Sequence, residues 1–355
     1  MRVHHIANDV GLENGGAQRI VLQLHEGLIA RGVASHVVAL CGLTAGIPSA
    51  VSLGNESPYG WFSFWSVVRY IRTECSLEDV IHVHLFPSLL YVSLAVKLLR
   101  WKGQLVCTEH STHNGRRTRR YGKWIDRLIY PAYDRIYCIS QGTKAALEAW
   151  FPQQRDKMTV IENGASLPYK TFRAREEKKR VSIVSVGRLS QPKNYPAVLE
   201  ALALLPDLDF DYQIAGIGEE EDRLKALCDR LGLADRVTFC GYVENVAGFL
   251  EAADIFLIPS LWEGFGLAAV EAMNAGLPVV ASDVVGMKEI FDTPEPCGLL
   301  VSPERPDEIA RAIRMLFDRE RRSQIGRNAF GRSLAYSKEK MVKTYQRAYE
   351  QLSTS

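Results

Sequence analysis

Short runs of apolar residues alternate along the chain with longer stretches in which apolar positions recur every three or four residues. The short runs predict buried strands, and the periodic stretches predict amphipathic helices. In the first half, strands are predicted at 3–7, 36–40, 80–85, 104–108 and 136–139, and helices at 17–30, 61–73 and 89–99. In the second half, strands are predicted at 181–186, 212–215, 237–239, 254–258 and 279–281, and helices at 195–205, 219–231, 246–252, 267–275, 307–317 and 336–352. This alternation indicates an α/β fold built on doubly wound parallel sheets.

A charged segment without apolar periodicity, at about 168–180, separates the two halves. Segments of this kind commonly connect domains. We therefore predict an N-terminal domain at 1–168, a C-terminal domain at 169–335 and a terminal helical segment at 336–355. With 355 residues, the chain is long enough for two domains that each have a full core.

The most informative stretch covers residues 259–282. A buried strand, a glycine turn, a helix and a second strand follow one another there, which is a βαβ unit. The free backbone N–H groups at the start of such a helix attract anions. Glu263 lies in the turn, and Glu271 lies in the helix among apolar neighbours, where a carboxylate needs a partner. This combination suits a phosphorylated sugar or a sugar nucleotide; the alternative is a helix-capping acid and a solvated helix residue.

The spacing of Glu263 and Glu271 around this turn resembles the signature of the retaining GT-B glycosyltransferases, the glycosyl transferases group 1 and family four. Further matching segments occur in the same order, at 15–16, 186–189, 192–194, 215–218 and 241–243. The resemblance covers nearly the whole chain and is strongest in the second half. It implies two Rossmann-like domains that face each other across a cleft, an acceptor-binding N-terminal domain, a donor-binding C-terminal domain and a terminal helix that crosses back to the first domain.

Two cations, Arg188 and Lys193, follow the predicted strand at 181–186. They suit a diphosphate, because a guanidinium binds as a fork and an ammonium binds as a point charge. In the resembling enzymes these two residues neutralise the departing nucleoside diphosphate, a role that a metal ion fills elsewhere. The alternative is a pair of surface cations in a loop.

The resemblance also implies the remaining donor contacts. Glu263 is implied to bind the donor-sugar hydroxyls together with the turn amides, and Glu271 to bind the ribose diol. The segment 241–243 is implied to hold the base, and the glycine pair at 15–16 to let the backbone approach a phosphate. The residues implied to contact the donor, besides the two cations, are Gly15, Gly16, Gly241, Tyr242, Val243, Glu263, Gly264, Phe265, Gly266, Leu267 and Glu271.

Histidines provide further candidates. His110 follows a predicted strand, and the resemblance implies that a histidine here faces the donor sugar; His113 is the alternative. His82 and His84 alternate along another strand, so they should point the same way, and His84 is nearer the carboxyl end, where it could touch the acceptor. For each of them a structural role is an equally good interpretation.

One local charge bias stands out, the basic segment that contains Arg116, Arg117, Arg119 and Arg120 and continues into aromatic residues and an apolar helix. Basic and aromatic residues together fit an anionic membrane surface or a pyrophosphate-linked lipid acceptor. A solvated basic loop is the alternative. Binding to nucleic acid is not predicted, since the sequence carries no nucleic-acid-binding module.

Composition limits the remaining choices. The formal net charge of +2 is small, and the seven scattered cysteines fit reduced thiols in a cytosolic protein. The longest apolar run is too short to span a bilayer, so we predict a cytoplasmic protein, peripheral on the inner face of the plasma membrane. Asp207 and Asp209 form an Asp-x-Asp pattern, but they lie in a turn that leads into a strand. We predict that the protein needs no metal and no cofactor.

These features predict an enzyme that transfers a sugar from a nucleotide-diphosphate sugar to a glycan or a polyprenyl-diphosphate-linked saccharide, in the assembly of a cell-surface polysaccharide or glycolipid. Family frequency favours a UDP-sugar, and GDP-mannose is the alternative. A nucleotide-sugar epimerase and a non-catalytic sugar-nucleotide-binding protein are less favoured. A dehydrogenase is disfavoured, because Gly216 and Gly218 lack the third glycine of the dinucleotide fingerprint.

Overall fold

The computed structural model describes residues 1–11, 15–42, 44–175 and 178–352. The chain forms two compact domains. The first comprises Met1–Gly164 and the terminal segment from Lys338, and the second comprises Ala165–Ser337. The boundaries expected from sequence, after residues 168 and 335, lie a few residues from these positions.

The first domain is built on a seven-stranded sheet in the order β3-β2-β1-β4-β5-β6-β7, in which all neighbouring strands are parallel. Its strands are β1 (Arg2–Ala7), β2 (Ala34–Cys41), β3 (Ala50–Asn55), β4 (Val80–His84), β5 (Gln104–Glu109), β6 (Arg135–Cys138) and β7 (Met158–Val160). Its helices are α1 (Gly16–Ala30), α2 (Trp61–Glu74), α3 (Ser88–Leu99), α4 (Gly122–Ile129) and α5 (Gln141–Trp150). The predicted doubly wound α/β fold is confirmed.

Helices cover both faces of this sheet. Apolar side chains of α2, α3, α4 and α5 join one continuous core with the strands. On the opposite face, α1 packs beside the terminal helix α13 (Lys338–Leu352). In α13, the Tyr345 hydroxyl lies 3.0 Å from the Thr108 hydroxyl, and the Tyr349 hydroxyl lies 2.6 Å from Nδ1 of His82. The predicted return of the terminal helix to the first domain is therefore confirmed.

The second domain has a six-stranded parallel sheet in the order β10-β9-β8-β11-β12-β13. Its strands are β8 (Val181–Val186), β9 (Phe210–Ala215), β10 (Val237–Gly241), β11 (Ile255–Ile258), β12 (Val279–Ser282) and β13 (Leu299–Val301). Its helices are α6 (Tyr195–Ala203), α7 (Glu221–Arg230), α8 (Val246–Glu251), α9 (Leu267–Asn274), α10 (Lys288–Phe291), α11 (Pro306–Met315) and α12 (Arg319–Ser333). Each domain thus has the Rossmann-like architecture expected from sequence.

The sequence pattern did not predict β3, β7, β13, α5, α10 or α12. The longest of these, α12, is rich in arginine and has few apolar positions. Ile325, Ala329 and Phe330 bury the inner side of α12, which packs against α9. Asp318 caps α12 by accepting a hydrogen bond from the Arg321 amide at 2.7 Å. Packing and capping therefore stabilise this helix despite its weak periodicity.

The charged segment predicted as a linker is held by the second domain. The Asn274 side chain exchanges two hydrogen bonds of 3.1 Å with the backbone of Tyr169. The guanidinium of Arg175 donates to the carbonyl oxygens of Glu251, Leu250 and Ala275. Residues 176 and 177 lie outside the described residues. This differs from a solvated connector, because the backbone carbonyls at the ends of α8 and α9 bind the cations of the segment.

Among the described residues, no helix combines the length and the apolar composition needed to cross a bilayer. All seven cysteines are unpaired, and four of them are buried. Their unpaired state agrees with the prediction of reduced thiols.

Candidate functional site

The strand order of the second domain predicts where its candidate site lies. The chain adds β9 and β10 on one side of β8, and then adds β11, β12 and β13 on the other side. The switch point is therefore the gap between β8 and β11. In open α/β sheets, ligands bind at such points, outside the carboxyl ends of the strands. Arg188 and Lys193 follow β8, and Glu263 follows β11, so the sequence-predicted charges lie at this edge.

Lys193 and Glu263 form an ion pair across the switch point. The Lys193 ammonium lies 2.6 Å from Oε2 of Glu263, and the Ser260 hydroxyl donates to the same oxygen at 3.3 Å. The Leu261 amide donates to the Pro192 carbonyl at 2.8 Å, which ties together the loops that carry the two charges. Both side chains keep partial exposure, 27% for Lys193 and 17% for Glu263, so the pair borders on solvent. Ser260 was missed from sequence, although a hydroxyl three residues before Glu263 is a visible signal.

Arg188 is exposed and has a different partner. Its guanidinium binds Glu219 through Nη2 at 3.1 Å and Nε at 3.2 Å. A hydrogen bond from its own backbone amide lowers the pKa of the Glu219 carboxyl, and the Arg188 guanidinium lowers it further. Glu219 was not among the predicted site residues. Because this ion pair is exposed, solvent screens it, and Arg188 can exchange Glu219 for another anion at small cost.

Two glycines set the shape of the loop that carries Arg188. A Cβ atom on Gly216 would lie 2.0 Å from the Gly187 carbonyl oxygen, and one on Gly218 would lie 2.2 Å from the Leu189 carbonyl oxygen. The loop after β8 therefore runs directly against the loop after β9. The Gly216 amide also donates to the Gly241 carbonyl at 2.7 Å. The predicted base-binding segment thus adjoins these loops, with Tyr242 exposed and Val243 half-buried.

The turn before α9 is built by close backbone packing. Gly266 has φ of +96° and caps the helix, and the buried Phe265 ring packs edge-on against Tyr336 at 5.3 Å. A Cβ atom on Gly286 would lie 2.3 Å from the Glu263 carbonyl oxygen, so the backbone of the segment after β12 packs directly against this turn. Gly264 and the start of α9 at Leu267 lie in the same turn, where helix-start amides can bind an anion.

Glu271 is the fifth of the eight residues of α9 and is half-buried. Its neighbours Val270 and Ala272 are fully buried, which confirms that it lies in an apolar part of the helix. Four residues at a rise of about 1.5 Å place Glu271 roughly 6 Å along the helix axis from Leu267. The carboxylate is therefore attached about one turn into the helix, and its predicted ribose-binding role stays a prediction.

In the first domain, the glycine pair lies where the sequence placed it, after β1 and at the start of α1. Gly15 has φ of +144° and caps α1, and both Gly15 and Gly16 are exposed. The preceding residues, 12–14, lie outside the described residues. The exposed backbone at the start of α1 is accessible to an anionic ligand.

Buried imidazoles connect three strands of the first domain. Nδ1 of His84 lies 3.0 Å from Nε2 of His110, and Nε2 of His84 lies 3.2 Å from Nδ1 of His5. His82 and His84 point to the same side, with ring centroids 4.0 Å apart, as the strand alternation predicted. The suggestion that His84 touches the acceptor needs correction, because its side chain is fully buried and both ring nitrogens face other imidazoles. His84 instead positions His110, whose role towards a donor sugar stays a prediction; His113 is exposed.

His5, His82 and His84 also form the group that could hold a metal ion within the described part of the chain, since their ligand atoms lie within 4.8 Å of one another. Most of their ring nitrogens already lie within hydrogen-bonding distance of other side chains. His82 lies 2.7 Å from the Thr108 hydroxyl and 2.6 Å from the Tyr349 hydroxyl, and both nitrogens of His84 face imidazoles. Side-chain hydrogen bonding therefore accounts for the cluster, and the predicted independence from metal stays a prediction.

Lowering the pH from 7 to 5 should reduce the free energy of unfolding. Burial lowers the pKa of His110 to about 4 and that of His5 to about 3, below the ordinary value of 6.5. The unfolded chain therefore binds protons first as the pH falls through 6.5, and each such histidine costs up to ~1.4 kcal/mol per pH unit. Urea unfolding at pH 7.5, 6.5, 5.5 and 5.0 measures this effect.

The control for this prediction is His5→Gln, which should show a shallower fall between pH 6.5 and 5.0. This window lies above the range in which the carboxylates of the unfolded chain titrate. Stability that stays constant, or rises, as the pH falls through it would contradict neutral buried imidazoles.

Two of the four arginines of the predicted basic surface are interior, which corrects that prediction. The Arg116 guanidinium binds the fully buried Asp126 at 2.8 Å, and Arg117 binds Glu109 at 2.8 Å. Their side chains are only 5% and 8% exposed. The physical reason is that a buried carboxylate needs a cation beside it, and no local pattern predicts that Glu109 and Asp126 are buried. Arg119 and Arg120 are exposed, as predicted.

The acids of the Asp-x-Asp pattern have separate partners. Asp207 forms a two-pronged ion pair with Arg314 at 2.6 and 2.8 Å, and Asp209 lies 3.2 Å from Arg180. Both are exposed and lie in the turn before β9. This agrees with the interpretation of the pattern as turn acids.

Comparison with known proteins identifies the family. The model described as Glycosyl transferases group 1 matches residues 170–332, and the model described as Glycosyltransferase Family 4 matches residues 14–167. The chain is 33% identical over 276 residues to an uncharacterised glycosyltransferase of Methanocaldococcus jannaschii, which covers 71% of this chain and 69% of that protein. The chain belongs to this glycosyltransferase family. It is therefore an enzyme that transfers sugars, as the resemblance implied.

Two further similarities are informative. The chain is 28% identical over 262 residues, 71% of each protein, to the N-acetylgalactosamine-N,N'-diacetylbacillosaminyl-diphospho-undecaprenol 4-alpha-N-acetylgalactosaminyltransferase of Campylobacter jejuni. The fold of this chain is similar to the structure of Anabaena HepE in complex with UDP and glucose. The TM-score is 0.84 and the identity is 20%, and the match covers 99% of this chain and 100% of that one. At this level of identity, the second similarity shows the fold alone, that of a GT-B protein with two Rossmann-like domains.

Proposed function

We propose that this glycosyltransferase transfers a sugar, with retention of anomeric configuration and without a metal ion, from a UDP-sugar to a saccharide carried on a polyprenyl diphosphate. The product would be an intermediate of a cell-surface polysaccharide or glycolipid. The reaction would take place in the cytoplasm, at the inner face of the plasma membrane.

The Lys193–Glu263 ion pair at the switch point of the second domain carries this proposal. Glycosyl transfer develops negative charge on the leaving diphosphate, and a fixed ammonium nearby stabilises that charge most in the transition state. The adjacent carboxylate accepts hydrogen bonds from sugar hydroxyls. A single pair at 2.6 Å thus supplies one group for the phosphate and one for the sugar.

The other residues of the second domain complete the assignment. Arg188 can exchange Glu219 for a phosphate oxygen, and the amides at the start of α9 bind the same group. Glu271 binds the ribose diol, and the backbone of 241–243 holds the base. These roles need only helix α9 and loops that the strand order already brings to one edge of the sheet.

The metal-free mechanism follows from the available charges. Lys193, Arg188 and the helix start together supply the positive charge that a divalent ion supplies in other phosphate-transferring sites. Glu263 and Glu271 act as binding groups in this proposal, so retention would arise from attack on the same face of the sugar, assisted by the leaving phosphate.

The acceptor assignment has two supports. The Campylobacter jejuni relative is named for an acceptor carried on diphospho-undecaprenol. In the first domain of this chain, Arg119 and Arg120 are exposed next to aromatic residues, which suits an anionic, lipid-linked substrate.

A thermal-shift panel of UDP-, GDP- and ADP-sugars in EDTA should show stabilisation by the UDP-sugars. A ligand at 100 times its dissociation constant adds about 2.7 kcal/mol to the free energy of unfolding, which raises the melting temperature by several degrees. The Glu271→Ala variant should lose this shift, because its carboxylate binds the ribose.

The matched control is Glu200→Ala, which removes an exposed glutamate from α6 and should keep the full shift. Stabilisation by GDP-mannose alone would replace the UDP assignment with a mannosyl donor. A shift that appears only after EDTA is replaced with Mg²⁺ or Mn²⁺ would overturn the metal-free assignment.

A further inference from the structure

Helices α2, α3 and α4 form one continuous outer layer of the first domain. The Tyr91 hydroxyl of α3 accepts a hydrogen bond of 2.8 Å from the Gly60 amide at the start of α2, and the Tyr91 ring packs against Phe64. On its other side, α3 contacts α4, where the Lys97 ammonium donates to the Leu128 carbonyl at 2.9 Å. The inner sides of all three helices are buried in the same core, so their outer sides make up a single surface.

Large aromatic side chains protrude from this layer. Phe62 is 82% exposed and Trp61 is 67% exposed in the first turn of α2, and Trp124 is 67% exposed in α4. The Trp61 ring packs edge-on against Trp65, 5.5 Å away, so the end of α2 carries a cluster of rings. Exposed aromatic clusters usually mark a binding surface, and tryptophan is enriched at the interface between membrane and water.

Helices α3 and α4 and the segment between them carry exposed charge of one sign, whereas α2 carries the exposed Arg69 and Arg72 and, at its last residue, the exposed Glu74. Between residues 85 and 129 the acidic residues are Glu109 and Asp126, and both are buried beside arginines. Every exposed charge in this segment is therefore positive. The exposed cations are Lys97, Arg100, Lys102, Arg119, Arg120, Lys123 and Arg127. The Arg127 guanidinium lies 5.0 Å from the centre of the Trp124 ring, so cation and aromatic side chain face the same partner together.

We propose that this aromatic and basic layer binds the surface of an anionic lipid bilayer. The rings would enter the headgroup region, and the cations would contact the lipid phosphates. Two copies of this chain would not pair through the layer, because the cations of one copy would oppose those of the other. The inference deepens the proposed use of a lipid-linked acceptor, and it replaces the basic loop predicted from sequence, half of which is interior.

Vesicle flotation of the full-length protein tests this proposal. We expect binding to vesicles of phosphatidylglycerol and phosphatidylcholine in a 3:7 ratio that is at least tenfold stronger than binding to pure phosphatidylcholine, and that weakens in high salt. The double variant Phe62→Ser/Trp124→Ser should lose on the order of tenfold or more in partition coefficient, since each ring buries apolar area in the headgroup region. The triple variant Lys102→Gln/Lys123→Gln/Arg127→Gln should lose on the order of 100-fold.

The controls are matched changes in the second domain. Leu204→Ser removes an exposed apolar side chain, and Arg230→Gln/Arg319→Gln/Arg321→Gln removes three exposed cations; both variants should bind vesicles like the wild type. Equal binding to neutral vesicles, or unchanged binding by either first-domain variant, would overturn the proposal. So would a dimer in solution that the Phe62→Ser change dissociates. Because donor stabilisation is measured without vesicles, the lipid proposal and the donor assignment can fail separately.

Discussion

Replacing Lys193 with alanine should lower the turnover number of sugar transfer by on the order of 10²- to 10³-fold, the cost typical of removing one charge-stabilising donor from an active site. The ammonium lies 2.6 Å from Glu263 at the switch point between β8 and β11, where the leaving diphosphate would develop its charge. Turnover can be measured as transfer to a lipid-linked saccharide or as the slower hydrolysis of the UDP-sugar.

The matched control is Lys225→Ala. Lys225 also lies 2.6 Å from a carboxylate, that of Glu221, but this pair is exposed on α7. Removing it should leave turnover within about a factor of two, because solvent screens an exposed ion pair and this pair stabilises no developing charge. If the Lys193→Ala enzyme binds the donor and turns over within threefold of the wild type, the ammonium does not stabilise the leaving group.

The Gly286→Ala variant should weaken donor binding by about 100-fold or more and should also destabilise the second domain. Gly286 has φ of +92°, and an added Cβ atom would lie 2.3 Å from the Glu263 carbonyl oxygen and 2.8 Å from that of Gly264. The turn that carries Glu263 must therefore move. A displacement of about 1 Å at a reacting site can lower the reaction rate 10²-fold, and we expect the affinity for the donor to fall by a similar factor. Calorimetric titration with the UDP-sugar measures the loss in affinity, and urea unfolding measures the loss in stability.

Gly232→Ala separates this clash from backbone strain. Gly232 has φ of +67°, and a Cβ atom added there meets nothing within 4 Å. Both variants pay about 1–2 kcal/mol for a left-handed backbone with a side chain, but only Gly286→Ala displaces the turn. Equal donor affinity in the two variants would show that the segment after β12 does not set the position of Glu263.

Much of the fold could be predicted from local pattern. The apolar runs of β1, β8 and β11 and the periodic helices α1, α6 and α13 bury their apolar side chains in the cores, so burial and sequence period agree. The pattern missed α12, whose inner side has only scattered apolar residues. It also missed the three-residue strands β7 and β13, which are too short to show a period.

The candidate site was predictable where a local motif carried it. The acidic pair, the glycine turn and the two cations could be read from the sequence, because a helix start needs amides, small residues and charge within a few positions of each other. The partners of these residues were not predictable. Arg188 binds Glu219 from the loop after β9, and Ser260 binds Glu263, contacts that depend on how separate loops meet.

The basic segment shows the same limit more sharply. Arg116, Arg117, Arg119 and Arg120 lie in the same short run of sequence, yet the first two are buried and the last two are exposed. No local pattern separates them. The difference arises because β5 and α4 place Glu109 and Asp126 inside the domain, and a buried carboxylate without a cation would cost several kcal/mol. The exposure of the rings of α2 likewise depends on tertiary structure, because α3 covers the other side of that helix.

The sequence alone therefore determined the class of fold, the family and the chemical character of the candidate site, since each rests on spacing within a short stretch of chain. The tertiary structure decided which charges are paired, which histidines are buried and which helices share one outer surface. These properties depend on contacts between residues that are distant in sequence, and the free energy of burying a charge or a ring is fixed only when the packing around it is complete.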